Sequence, residues 1–402
     1  MRSQPFGIAG KIECLRAFLA SRTPEKLIIS GALDGLLGNA AVTRVLCLGK
    51  AGRSLARGAA SLFKGADGFL FETTDGAPGL MPRGFTHCMG EHPVPGRFSV
   101  KSTKLLREWL MDGEGPLLTL VSGGSSSLLC EPAPGWTLNE VASIERRLLE
   151  SGMAIREINA VRLRLSRARG GGLRLRAGAW PVFTGIWCDV APSQWRITGS
   201  APMFWPGYAA RAERVIERHS FRLQKELPPL LRVAMPPFDR ARCLLDGDQL
   251  AQAAASFLRN EWPRVKRLSV PEAISPRALA KRFKKEALNS VKRPAVIIGC
   301  GEAPVRVAAK GRGGRCSHLA CEVALALGGM AGWTFVALAT DGVDGNAGSG
   351  AVVSSETSPP EVMLRKALSQ CDTGGLLEAH SCLLPRSPSG NNLRDLWILF
   401  LE

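Results

Sequence analysis

Apolar positions along the chain follow two spacings, those of amphipathic helices and those of short buried strands. Ile8, Ile12, Leu15 and Leu19 recur with a helical period over residues 7–20. Further helical patterns cover residues 52–60, 136–151, 244–258 and 316–327. Apolar runs of strand length cover residues 43–48, 117–121, 181–190, 294–299 and 334–339. The helix over 136–151 is expected to begin with a capping box, because Glu140 follows Thr137 by three residues.

Strands that alternate with helices in this way predict an α/β protein with a parallel, doubly wound sheet. A chain of 402 residues has room for two domains of ordinary size. The stretch 204–242 is rich in Pro and Arg and has no clear period, so we place the domain boundary there. The predicted domains are residues 1–235 and 236–402.

The net charge of +17 is large, and seven of the basic residues fall within 156–176. This segment has neither interleaved aromatic residues nor a known nucleic-acid-binding module, so the pattern favours an Arg-rich surface over nucleic-acid binding. A positive field would also suit an anionic small-molecule substrate.

The 11 cysteines are scattered without a Cys-x-x-Cys pair, which predicts reduced thiols and a cytoplasmic protein. No apolar run approaches the roughly 20 residues that span a bilayer, so we expect no membrane partner. The start of the chain lacks the apolar core of a signal peptide. A homodimer is retained as a hypothesis for the assembly.

Polar and glycine residues stand where the N-terminal strands end, which is where α/β folds place their sites. Lys50 follows a strand and opens a helix, so it could neutralise a phosphate. The turn Ser122–Ser127 offers backbone N–H groups and hydroxyls, and Asp189 follows the next strand. Alternatively, Lys50 lies on the surface, the Ser/Gly turn only connects two elements, and His92, between turn residues, has a structural role.

Three glycine-rich turns in the C-terminal half carry the other candidates: Glu302; Gly313, Gly314 and Arg315; and Asp341 with Asp344. Arg315 could bind a carboxylate or phosphate through its fork of N–H donors. Asp341 and Asp344 could hold Mg²⁺ or orient a hydroxyl. The alternatives are a surface arginine, a Glu302 that caps a helix, and aspartates that stabilise glycine turns.

In their order along the chain, these segments resemble the type II glycerate kinases, the group with a C-terminal MOFRL domain. The motifs are Gly49-Lys50-Ala51, Gly90-Glu-His92-Pro-Val-Pro95, Val121-Ser-Gly-Gly-Ser-Ser-Ser127, Asn159-Ala-Val-Arg162, Arg169-Gly-Gly171, Cys188-Asp189-Val190 and the three C-terminal turns. The resemblance covers almost the whole chain. It implies a larger Rossmann-like N-terminal domain with a parallel sheet and a smaller C-terminal α/β domain of the MOFRL type.

The resemblance further implies phosphorylation of D-glycerate at its 2-hydroxyl, with ATP and Mg²⁺ as cofactors. Lys50 would contact the phosphoryl group in transfer, Arg315 would hold a carboxylate or phosphate, and Asp189 would complete the catalytic set. Asp189 and Asp341 are the expected metal ligands. The expected substrate- and nucleotide-binding residues are Ser122, Gly123, Gly124, Ser125, Ser126, His92, Asn159, Arg162, Glu302, Gly313, Gly314 and Asp341.

The chain also departs from the family pattern. The usual Pro-Gly-Asp-Asp turn is Pro192-Ser193-Gln194, which lacks both carboxylates, and Cys316 and His318 replace an Asn and a Glu. Arg164 and Arg169 replace a His and a Lys. An alternative is therefore a catalytically impaired member that binds an anionic metabolite or a protein partner. A nicotinamide-dependent reductase finds little support, because no Gly-x-Gly-x-x-Gly turn with a following acid is present.

Overall fold

The computed structural model describes residues 7–74, 79–205, 207–229, 234, 236–290, 292–305 and 311–402. The chain forms two compact units. One is Pro24–Leu244, and the other joins the chain up to Thr23 with Leu245–Glu402. The boundary that we place between residues 235 and 236 falls at Met235, outside the described residues.

The strands alternate with helices along most of the chain. In chain order the strands are β1 (Arg44–Leu48), β2 (Asp67–Thr73), β3 (Phe85–Gly90), β4 (Leu117–Ser122), β5 (Val182–Trp187), β6 (Arg240–Leu245), β7 (Val265–Arg267), β8 (Ala295–Gly301), β9 (Trp333–Ala339), β10 (Gly350–Ser354), β11 (Leu383–Leu384) and β12 (Asp395–Leu401).

The α-helices are α1 (Ile8–Ser21), α2 (Pro24–Ile29), α3 (Asp34–Leu37), α4 (Gly52–Leu62), α5 (Arg97–Asp112), α6 (Ser125–Leu128), α7 (Leu138–Glu150), α8 (Ile155–Leu165), α9 (Ala212–Arg218), α10 (Gly247–Leu258), α11 (Pro276–Asn289), α12 (Arg315–Leu327), α13 (Glu361–Gln370) and α14 (Thr373–Ala379). Short 3₁₀ segments cover Arg174–Arg176, Pro192–Ser200 and Tyr208–Arg211. The predicted capping box is present, because Thr137 and Glu140 exchange hydrogen bonds at the start of α7.

The unit Pro24–Leu244 is built on a six-stranded sheet with the order β3-β2-β1-β4-β5-β6. The pairings from β3 through β5 are parallel. This is the strand order of a Rossmann fold, so the prediction for the N-terminal half is confirmed. Every residue of β1, β4 and β5 is buried, which explains why these strands read as continuous apolar runs rather than alternating ones.

The second unit contains a mixed sheet with the order β11-β10-β9-β12-β8-β7. The last strand, β12, lies between β8 and β9 and is antiparallel to both. Alternation of strands and helices alone predicts a parallel sheet, so this arrangement is not visible in the pattern. It places the first residue of β12, Asp395, beside the carboxyl ends of β8 and β9, opposite Gly301 and Ala339.

The Arg-rich segment 156–176 is mostly interior rather than surface. Five of its seven arginines form ion pairs with acids from other segments: Arg162 and Arg169 with Glu145, Arg164 with Glu213, Arg174 with Asp239, and Arg176 with Glu131. Four of the five are buried, and Arg176 is nearly so. Our expectation of an Arg-rich surface is therefore wrong for these five residues.

The described helices include none that is long and apolar enough to cross a membrane. All eleven cysteines lie among the described residues, and no two of them form a disulfide.

Candidate functional site

In the sheet of the unit Pro24–Leu244 the strand order reverses between β1 and β4, because β2 and β3 lie on one side of this pair and β5 and β6 on the other. The turns that follow β1 and β4 are in direct contact. Lys50 N donates to the Gly123 carbonyl at 2.9 Å, and Ala51 N donates to Ser122 Oγ at 3.0 Å. Gly49 has φ +101°, and a Cβ there would come within 2.6 Å of the Gly123 carbonyl oxygen. Only glycine lets the two turns approach this closely.

Ser122 holds these two turns together through its hydroxyl, which is fully buried. Its Oγ accepts the Ala51 N–H and donates to the Leu48 carbonyl at 2.9 Å. The hydroxyl of Ser122 therefore has a positioning role, and the residue exposes no surface for binding.

We expect Ser122→Ala to lower the free energy of unfolding by about 1–3 kcal/mol, because a buried N–H and a buried carbonyl both lose their partner. Ser61→Ala removes the same atom from an exposed position on α4 and should change stability by less than about 0.5 kcal/mol. Urea unfolding of both variants measures the difference. Equal stabilities would show that the hydroxyl does not fasten the two turns.

Gly124 brings several predicted site residues together. It has φ +84°, and a Cβ at this position would lie 2.9 Å from Cγ of Lys50, 3.4 Å from Cγ2 of Thr73 and 3.6 Å from Cδ2 of His92. The stem of Lys50 therefore crosses the Ser/Gly turn, with the imidazole of His92 and the end of β2 beside it. Thr73 is a neighbour that the sequence motifs did not indicate.

The turn itself presents backbone donors. Among the described residues, the N–H groups of Gly123, Gly124, Ser125 and Ser126 have no hydrogen-bond acceptor. The side chains of this turn are engaged locally, with Ser125 Oγ donating to the Ser122 carbonyl and Ser126 Oγ 2.7 Å from Ser200 Oγ. Successive N–H groups in such a turn form a concavity that suits an anion.

Asp189 lies two residues after the end of β5, the next strand along the sheet. The register pairs Ser122 with Trp187, so Asp189 and the Ser/Gly turn share one edge of the sheet. Its side chain is partly exposed, whereas Ser193, which replaces a family carboxylate, is exposed. Within the described part of the chain, no three His, Cys, Asp or Glu side chains come together as a metal site.

Asn159 and Arg162, predicted to bind substrate or nucleotide, are buried in α8. The Arg162 guanidinium donates to Glu145 Oε2 at 3.0 and 2.7 Å, and Arg169 donates to Oε1 of the same carboxylate at 2.6 Å. Burial lowers the pKa of Arg162, against the attraction of Glu145. These contacts give Arg162 a structural partner, and they assign Arg169, which replaces a family lysine, to the same ion triad.

In the second unit, Arg315 opens α12 and binds two carboxylates. Its Nη1 lies 2.5 Å from Oε1 of Glu302, and its Nη2 donates to Oδ1 of Asp395 at 3.1 Å. Nε is 3.0 Å from Oδ2 of Asp395, an ion-pair contact without hydrogen-bond alignment. The arginine keeps 39% of its side chain exposed, so its fork is fixed in direction but still accessible.

Asp395 was missed by sequence reasoning, because only the register of β12 shows that it faces Arg315. Burial raises the pKa of Asp395 to about 7; Arg315 acts against this, and Glu302 and Asp344 add to it. For Arg315, burial lowers the pKa, but Asp395 and Glu302 outweigh burial and raise it. The guanidinium therefore stays charged.

A pH titration of stability should reveal Asp395. Its pKa is raised in the folded state above the unfolded value of 3.8, so the folded state binds more protons between about pH 4 and pH 7. The free energy of unfolding contributed by this group therefore falls as pH rises through that window, by up to about 1.4 kcal/mol per pH unit. Asp395→Asn cannot titrate. We expect the stability of wild type relative to this variant to fall from pH 5 to pH 8, and a constant or rising difference would contradict the assignment.

The N–H groups at the start of α12 already have acceptors within the chain. Gly313 N donates to Asn346 Oδ1 and Gly314 N to Ser317 Oγ, both at 2.8 Å. The carboxylate of Asp344 accepts Cys316 N at 2.9 Å and Ser317 N at 2.8 Å. Asp344 therefore caps this helix, a structural role that differs both from metal binding and from stabilising a glycine turn, the two roles considered for it. Asp341 accepts the N–H of Val343 at 3.0 Å.

The strand order defines a doubly wound α/β protein, and the turns after β1 and β4 bring Lys50 and a run of backbone N–H groups to one edge of its sheet. A domain of unknown function, DUF4147, matches residues 13–235, and the MOFRL family matches residues 295–395. The chain therefore belongs to the MOFRL-type glycerate kinase family, as its motifs predicted, and it is a kinase.

Individual relatives agree with this assignment. The D-glycerate 2-kinase of Thermotoga maritima is 28% identical over 326 residues, which cover 76% of this chain and 78% of that protein. The crystal structure of glycerate kinase from the same organism matches with a TM-score of 0.83 and 25% identity over 98% of both chains. A protein of Agrobacterium vitis, provisionally named a hydroxypyruvate reductase, is 29% identical over 76% of this chain and 75% of its own length.

Proposed function

We propose that this protein transfers the γ-phosphoryl group of ATP to the 2-hydroxyl of D-glycerate and produces 2-phosphoglycerate. The observation that carries the proposal is the contact of Lys50 with Gly124 at the switch point of the sheet. There, a cationic side chain crosses a turn whose N–H groups have no acceptor among the described residues. D-glycerate is proposed as the acceptor of the phosphoryl group because the Thermotoga relatives are named D-glycerate 2-kinase and glycerate kinase.

In this proposal the chain acts mainly by positioning groups and neutralising charge, as proteins do in phosphoryl transfer. The N–H groups of the turn 123–126 hold phosphate oxygens, and Lys50 neutralises the charge that develops on the transferred group. Arg315, held in direction by Glu302 and Asp395, offers an accessible edge of N–H donors to a carboxylate or phosphate, the role that the family resemblance implies for it. Asp189 accepts the proton of the 2-hydroxyl as that oxygen bonds to the γ-phosphorus, and the bond from this phosphorus to the β,γ-bridging oxygen breaks to release ADP.

Mg²⁺ is part of the proposal, and the residues fit it. Mg²⁺ usually takes one or two protein carboxylates, several waters and the phosphates of its substrate. Asp189, a partly exposed carboxylate at the edge of the sheet that carries the Ser/Gly turn, would supply the protein's share of that set. Bound there, Mg²⁺ would neutralise phosphate charge.

A product assay tests the proposal. Purified protein with D-glycerate, Mg²⁺ and ATP should give 2-phosphoglycerate, identified by ³¹P NMR against the 3-phosphate isomer, and the reaction should stop when ATP is left out. Arg315→Ala should raise the KM for the substrate, glycerate or ATP, whose carboxylate or phosphate this arginine binds. Formation of 3-phosphoglycerate would refute the assigned hydroxyl, and no phosphoglycerate at all would refute glycerate as the acceptor.

A further inference from the structure

The unit Pro24–Leu244 contains a second concave, strongly basic feature that the proposed reaction does not use. It is a cavity of about 490 Å³ between α8, Gly207 and α9, and we refer to it as the arginine cavity. Its charged lining consists of Arg156, Arg211, Arg214, Arg218 and Glu157. Its volume lies in the range of small-molecule sites.

The charges of the arginine cavity are unbalanced. Among the described residues that line it, Glu157 is the one carboxylate. Both of its oxygens are engaged, Oε1 with Arg218 at 3.0 Å and Oε2 with His219 at 3.1 Å. Among the described residues, Arg156, Arg211 and Arg214 have no acidic partner. The five arginines of the segment 156–176 described above differ, because each of them forms an ion pair with a Glu or Asp.

The placement of these arginines raises the free energy of the empty site. Arg211, Arg214 and Arg218 are spaced by three and four residues, so their side chains leave the same side of the chain at α9. Like charges at this spacing repel one another, and an anion bound between them would remove the repulsion. Guanidinium groups offer paired N–H donors that match two oxygens of a phosphate.

The floor of the cavity is apolar. Ala160 and Val215 are buried and contribute to its lining. A ligand with several phosphate groups and a short carbon or ring portion would place the phosphates against the arginines and the apolar portion on this floor. We propose that the arginine cavity binds a small organic polyphosphate, separate from the residues that carry the proposed reaction.

Calorimetric titration with inorganic pyrophosphate tests the site, because pyrophosphate contains the recognised group and nothing else. Wild type should bind it, and Arg211→Gln/Arg214→Gln should weaken binding at least tenfold. The control Lys281→Gln/Lys285→Gln removes the same charge from two exposed lysines of α11 and should leave binding unchanged. Since all four residues are exposed, both variants should keep the wild-type unfolding midpoint.

The variant Lys50→Ala distinguishes the arginine cavity from the proposed active site, because this variant should still bind pyrophosphate. ATP serves as a second probe: a second bound equivalent of ATP that is lost in the arginine variant, while the equivalent at the proposed active site remains, would identify a nucleotide as the ligand. Three outcomes would overturn the proposal. They are no binding of pyrophosphate by wild type, equal weakening in the lysine control, and weakening in Lys50→Ala but not in the arginine variant. Binding of a single-stranded oligonucleotide without binding of pyrophosphate would also refute it.

Discussion

Lys50→Ala should reduce kcat for phosphoryl transfer by about 10²–10³-fold, the usual cost of removing one preorganised charge-stabilising donor. The stem of Lys50 crosses Gly124, so the side chain lies at the edge of the sheet formed by the carboxyl ends of β1 and β4. A group that acts mainly on the charge of the transition state lowers kcat more than it raises KM. Steady-state kinetics with ATP and D-glycerate measure both constants.

Lys64→Ala is the matched control for this prediction. Lys64 lies just beyond the end of α4 in the same unit and is exposed, so its loss removes the same charge without touching the turns. We expect wild-type kinetics from it. If the two variants have the same kcat, Lys50 does not stabilise the transferred group, and the assignment of the site to this edge is wrong.

Glu145→Gln should lower the free energy of unfolding by about 3–5 kcal/mol, because it leaves two buried guanidinium groups without their shared counter-charge. The side chains of Glu145 and Arg169 are fully buried, and that of Arg162 is 5% exposed. Water cannot replace the missing carboxylate at such a position. Urea unfolding followed by circular dichroism gives the free energy.

Glu131→Gln tests whether burial is the cause. Glu131 is also shared by two arginines, Arg107 and Arg176, but 21% of its side chain is exposed. Exposed pairs contribute about 1 kcal/mol or less, so this variant should lose much less stability. Comparable losses in the two variants would mean that the number of ion pairs, rather than their burial, sets the stability.

Apolar spacing and turn chemistry were sufficient to predict the main elements at the N-terminal site. The strand ending at Leu48 and the turn with Lys50 lie where the pattern placed them, because a strand buried on both faces needs a continuous apolar run. The location of the candidate site then follows from the rule that sites form at the carboxyl ends of strands. The contacts of Thr73 and Ser200 with this turn have no signal in the sequence, since they come from segments distant along the chain.

The C-terminal site was less predictable. Glu302 and Arg315 were identified from glycine-rich turns, but Asp395 opens a strand that no such turn marks. Its contact with Arg315 exists because β12 inserts between β8 and β9. Asp344 has the residue type of a metal ligand, and only its bonds to Cys316 and Ser317 show that it caps a helix.

The sequence by itself determined the family, the α/β class and the positions of the glycine-rich turns, because these depend on local spacing and on residue types with restricted backbone choices. Only the tertiary structure decided which charges are buried. Local sequence could not show that Glu145, on α7, neutralises Arg162 and Arg169, or that no described acid does the same for Arg211 and Arg214. The physical reason is that a charge is stabilised or left unbalanced by its neighbours in space, and these are brought together by packing rather than by order along the chain.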